Sequence, residues 1–167
     1  MGIPSTNHVV EAGVAEDDNI TEWPTYNQQI KPETNPDRVT ADHFVIRDGN
    51  VFAGIHLIFD FWGAQQLDNL ELMEAALRES VAVARATLLH IHLHHFTPNG
   101  GISGVAVLAE SHISVHTWPE RGYAAFDVFM CGDTEPEKTI PVLKKAFRPK
   151  QVNLTEHLRG MVDKEDT

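Results

Sequence analysis

The sequence predicts an α/β two-layer sandwich of the α+β kind, a largely antiparallel sheet with helices on one face. Apolar and polar residues alternate with period two in several segments from about position 50 to 160. Two other segments, 68–86 and 135–149, repeat their apolar residues at helical spacing instead. Between the helices, strand-like segments follow one another through turns rich in Gly, Pro and Asn, which suit hairpins better than parallel crossovers.

Taken in order, "GIHLIFDFWG" (54–63) is an apolar run closed by Gly63, as expected of a buried strand. In "DNLELMEAALRESVAVARA" (68–86), Leu70, Met73, Ala76, Leu77, Val81 and Ala84 share one helical face. Asp68, with Glu71 three residues on, is the expected N-cap in a capping box. "TLLHIHLHHF" (87–96) sets Leu89, Ile91 and Leu93 against His90, His92 and His94, a strand with one polar face. "FTPNGG" is turn chemistry, and "ISGVAVLAESHISVHTW" supplies two further strand segments. "GYAAFDVFMCG" (122–132) is another strand, bounded by glycines. "EPEKTIPVLKKAFRP" (135–149) reads as a second helix with Ile140, Leu143 and Phe147 on one face and Pro149 closing it. "QVNLTEHLRG" is a last short strand. Residues 1–40 are polar and acidic and are broken by Pro4, Pro24, Pro32 and Pro36, so a disordered tail is expected before a single domain spanning 41–167.

Composition narrows the function classes. A chain of 167 residues with 42% hydrophobic content can build one domain with a real core. No apolar stretch approaches the roughly 20 residues of a membrane span. The net charge of −11 argues against nucleic acid or an anionic membrane as partner, because both need a basic footprint. A lone cysteine, Cys131, excludes an intrachain disulfide framework and fits the reducing cytoplasm.

Two constellations invite a chemical reading. His90, His92, His94 and His95 include metal-ligand spacing, but no carboxylate or thiol close in sequence completes a ligand set, so no metal is expected. They fit a solvent-facing or interface strand face. "LAESHISVHTWPE" crowds a carboxylate, hydroxyls and imidazoles into one strand, groups that are costly to bury without partners. Ser111 and His116 suggest a hydrolase pair, yet there is no Gly-x-Ser-x-Gly elbow. Their spacing of five also puts them on opposite faces of an ideal strand, so cooperation between them requires the backbone to bend or break.

The stretch "GVAVLAESHISVHTWPERGYAAFDVFMCGD", with "FAGIHLIFDFWGA" and "HHFTPNGGISG" upstream, resembles the pyruvoyl-dependent S-adenosylmethionine decarboxylases of the small bacterial and archaeal type. The resemblance covers about residues 42–160. It implies a proenzyme that cuts itself between Glu110 and Ser111 into a β chain (1–110) and an α chain (111–167). Ser111 would become the pyruvoyl cofactor, which takes the substrate amine as a Schiff base and acts as an electron sink. Ser103 and His116 match the family's processing residues: Ser103 as an oxyanion donor, His116 as the base for the Cα proton of residue 111. Cys131 matches the catalytic acid, and a free thiol is mostly protonated at neutral pH. Phe96 and Trp118 resemble the positions that stack on adenine, and Glu120 the carboxylate that takes the ribose hydroxyls. The implied activity makes the aminopropyl donor for spermidine biosynthesis, in a homodimer of processed protomers. Relatives that decarboxylate arginine or ornithine share the processing residues, which leaves those substrates as the alternative.

Overall fold

The computed structural model describes residues 44–162. The expected tail and the domain start at 41 lie outside the described residues. The strands are β1 (Val45–Arg47), β2 (Asn50–Trp62), β3 (Leu88–His95), β4 (Ile102–Leu108), β5 (Ser111–Trp118), β6 (Tyr123–Met130) and β7 (Gln151–Met161). The helices are α1 (Leu70–Val83) and α2 (Thr139–Phe147). The strands form one sheet in the order β1-β2-β6-β5-β4-β3, with β7 also paired to β2, and every pairing is antiparallel. This is the predicted sandwich.

Alternation decides which side of the sheet is core. Leu57, Phe59 and Phe61 of β2, Phe126 and Val128 of β6, and Ile113 and Val115 of β5 are fully buried on the side the helices cover. Met73, Leu77 and Val81 of α1 and Leu143 and Phe147 of α2 meet them. Phe126 joins Phe61 and Phe147, with ring centroids 5.3 and 5.9 Å away. Each such ring removes well over 100 Å² of apolar surface from water, so this layer supplies most of the driving force for folding.

Several boundaries differ from expectation. The N-cap is Asn69, not Asp68: Asn69 is extended, and its side chain accepts the Leu72 N–H at 3.0 Å. The capping box therefore does not form, and Glu71 sits in the first turn, where it faces the positive end of the helix dipole. The helix stops at Val83, and Arg85 turns left-handed (φ 60°) to start the link to β3. α2 begins at Thr139 after a 3-10 turn, Pro136–Lys138, whose carbonyl at Pro136 accepts the Thr139 hydroxyl. The last strand runs one residue past the expected 151–160 stretch, and an additional short strand, β1, pairs with the start of β2. Among the described residues, no helix is long and apolar enough to cross a membrane.

Among the described residues, no helix covers the other face of the sheet. Strand registers set out its side chains in cross-strand rows. One row runs His56–Phe129–His112–Val107–His90 and the next Ile58–Asp127–Ser114–Val105–His92. A third runs Asp60–Ala125–His116–Ser103–His94, and the last is Trp62–Tyr123–Trp118. His112, Ser114 and His116 thus share this open face, opposite Ile113 and Val115, as the alternation predicted.

Candidate active site

The motif residues gather at the two ends of β5. At its first residue, Ser111 points toward the core side and is nearly buried. Its Oγ lies 3.7 Å from Cys131 Sγ, and the Cys131 thiol donates to the Glu110 carbonyl oxygen at 3.2 Å. Glu110 closes the β4–β5 turn in the left-handed region (φ 57°), a conformation costly for a residue with a β-carbon. The strained peptide between Glu110 and Ser111 therefore has a hydroxyl behind it and a thiol donor on its carbonyl. Beside it opens a cavity of about 490 Å³, walled by residues 85–87, 109–110 and 131–134.

The far end of β5 carries the second group. His116 Nδ1 and Ser103 Oγ are 2.9 Å apart across the β4–β5 ladder, where these two residues are register partners. Phe96 stands edge-on to His94, with centroids 4.5 Å apart. Trp118 stacks on Tyr123 at 5.2 Å, and Tyr123 in turn on Trp62 at 4.4 Å. Phe96, Trp118 and Trp62 are each close to half exposed. Glu120 lies in the exposed 3-10 turn Pro119–Arg121, which Gly122 closes in the left-handed region by donating to Pro119 O.

Sequence reasoning did not mark the residues that hold this end in place. Thr117 is buried; its hydroxyl donates to Leu67 O at 2.9 Å and accepts the Ile102 N–H at 2.7 Å. That pair of bonds fixes the starts of β4 and of the loop before α1 against β5, so that His116 and Trp118 on either side project to the open face. Tyr123 donates to Asp60 at 2.7 Å, and this bond, foremost, pushes the phenol pKa up to about 12. The phenol is thereby kept as a fixed donor with its ring against Trp118. The period-two pattern of Tyr123, Ala125, Asp127 and Phe129 assigned them to one face but gave no partner.

The structure does not bring the two groups together within one chain. Ser111 and His116 lie on opposite faces and, at five strand residues apart, are separated by about 17 Å. Ser103, expected near the Glu110 carbonyl, is bonded to His116 instead, and the group on that carbonyl is Cys131. A third cluster fills the middle of the open face. His56 Nδ1 is 3.1 Å from Arg159, Asp127 accepts from Ser114, and Asp127 lies 3.5 Å from His56 Nε2. Burial, and then the neighbouring His56, lower the His112 pKa below the usual imidazole value, with Asp127 opposing. Among the described residues, no three His, Cys, Asp or Glu side chains are placed to hold a metal ion.

The family described as S-adenosylmethionine decarboxylase matches residues 55–160. A protein of Thermomicrobium roseum named S-adenosylmethionine decarboxylase proenzyme is 48% identical over 110 residues, 65% of this chain and 95% of the relative. Proteins of the same name from Methanococcus maripaludis and Methanococcus vannielii are 46% and 47% identical, over 66% and 68% of this chain and 92% and 94% of theirs. The crystal structure of the adenosylmethionine decarboxylase from Aquifex aeolicus VF5 superposes with a TM-score of 0.61 at 33% identity, covering 68% of this chain and 95% of that one. On the match across residues 55–160, from within β2 into β7, the chain belongs to the S-adenosylmethionine decarboxylase family.

Proposed function

We propose that this chain is a proenzyme that cuts itself at Glu110–Ser111 and then decarboxylates S-adenosylmethionine. The observation that carries the reading is the left-handed Glu110 whose carbonyl accepts from Cys131 while Ser111 Oγ sits beside the same sulfur. In the processing step, Ser111 Oγ adds to the Glu110 carbonyl carbon and the peptide C–N bond breaks, leaving an ester. The thiol donates to the oxygen that gains charge in the tetrahedral intermediate. Loss of the Cα proton of residue 111 then breaks its Cβ–Oγ bond, and Oγ departs as part of the Glu110 carboxylate. The residual enamine takes up water and releases ammonia. The residues fit the group this makes: a small cavity opens at the new terminus with a thiol on its wall. Once formed, the pyruvoyl group supplies a ketone for the substrate amine and a sink for the electrons left by the carboxylate. Cys131 then returns a proton to the substrate carbon.

The base for processing and the nucleoside contacts come, in this reading, from a second copy of the chain. His116 and Ser103 lie about 17 Å from Ser111, and Trp118 about 23 Å, with the β4–β5 ladder fixing those separations. The open face, with Trp62, Trp118, Phe96 and Val107 exposed and no helix above it among the described residues, is the surface through which the copies meet. Trp118 and Phe96 offer faces to the adenine, and Glu120 a carboxylate to the ribose hydroxyls. Carbon dioxide release from S-adenosylmethionine, arginine and ornithine, compared on one preparation, tests the substrate. Release from S-adenosylmethionine alone is expected; preference for either free amino acid would show a different decarboxylase on this fold.

A further inference from the structure

Three loops meet around the bond to be cut. Ala109 of the β4–β5 turn donates its N–H to Thr87 O at 2.9 Å, tying that turn to the α1–β3 link. Glu135, after β6, donates its N–H to Ala84 O at 2.9 Å, tying in the third loop. Among the described residues lining this open cavity, Arg85 is the one cation, and Glu110 and Asp133 line the same cavity. Arg85 holds φ 60°, a conformation that glycine adopts freely and a β-carbon makes costly. The chain thus keeps a long cationic side chain at a position whose backbone favours none. Among the described residues, the ion pairs made by Arg and Lys engage Arg47, Arg78 and Lys138, not Arg85. Its neighbour Glu135 is held below the usual carboxylate range chiefly by the hydrogen bond from Lys138, with Arg85 the smallest contributor.

Processing changes the charge of this cavity. The uncut bond is a neutral amide; the cut leaves Glu110 as a chain terminus with a new main-chain carboxylate, its second oxygen taken from Ser111. We propose that Arg85 is a positioning residue that captures this carboxylate, holding the new C-terminus of the 1–110 chain against the cavity wall and clear of residue 111. The guanidinium fork suits a terminal carboxylate, which it can bind through two parallel hydrogen bonds. The inference rests on the self-processing reading above and adds to it the fate of the released end.

Native carboxypeptidase Y digestion of the processed protein, read by the intact mass of the 1–110 chain, tests it. Arg85→Gly removes the charge at a backbone position that glycine suits, so misfolding does not obscure the result. It should still cleave, and should lose Glu110 roughly five- to tenfold faster than the wild type, while Arg85→Lys should fall between the two. Equal trimming of wild type and Arg85→Gly would overturn the proposal with the processing reading intact. A wild-type chain that never cleaves would overturn that reading itself, and the capture with it.

Discussion

At the scale of single residues, Glu110, Ser111, Cys131, Ser103 and His116 were singled out together only by the resemblance to a known family. The odd spacing of Ser111 and His116, by contrast, could be read directly, and the structure places the two on opposite faces of β5. What escaped was backbone conformation. Nothing in the letters Arg85 or Glu110 announces a left-handed residue, because that conformation is normally signalled by glycine or asparagine. The depressed pKa of His112 was equally hidden, since it arises from burial and from His56, far away in sequence. It has a consequence for stability. Below the ordinary imidazole pKa of about 6.5, the unfolded chain holds a proton at this site that the folded chain resists. Stability should therefore rise with pH through that window and fall on acidification. Urea melts of wild type and His112→Gln at pH 7.5 and 5.5 check this; the substitution should flatten the pH dependence, and an equally steep loss in both proteins would contradict it.

At the scale of elements, core-facing strands and both helices follow from periodicity, since their alternation reflects a real difference between a buried and an open side. Edge elements were read less well. β1 is three residues long with Ile46 exposed, so it offers too little alternation to be seen, whereas β7 was read to within one residue of its end. The N-cap moved by one residue because Asp68 and Asn69 are both competent caps and only the geometry of the incoming chain selects between them. Thr117 shows how element ends control the site. Thr117→Val keeps the shape but leaves Ile102 N–H and Leu67 C=O without their partner, at a cost of about 2 kcal/mol. Urea denaturation should show that loss, together with weaker substrate binding through a displaced Trp118. A change of less than about 0.5 kcal/mol would mean that the bonds do not hold the strand ends.

At the scale of the whole molecule, one chain carries two groups of motif residues that face different directions and, among the described residues, an uncovered sheet face rich in histidine and aromatic residues. Two copies meeting through those faces with their β5 strands running in opposite directions would set the Ser103–His116 pair of each beside the end of β5 in the other, where the Glu110–Ser111 bond is cut. Complementation tests this. Coexpressed with Ser111→Ala, the His116→Ala chain keeps its own Ser111 and can borrow the partner's imidazole, so it should be cut, although neither variant is cut alone. Failure to cut in the mixture, with both variants shown to associate, would place the base within the same chain.

The central claim is that the electrophile is made from Ser111 by the chain itself, and the intact mass of the purified protein tests it most directly. Two chains are expected, residues 1–110 with a free carboxylate and residues 111–167 lighter by one ammonia than a hydrolytic cut would leave. Ser111→Ala should remain whole, and Cys131→Ala should cleave about tenfold more slowly while losing nearly all decarboxylation. A single uncut wild-type chain after prolonged incubation, or a 111–167 chain that begins with unmodified serine, would contradict the account.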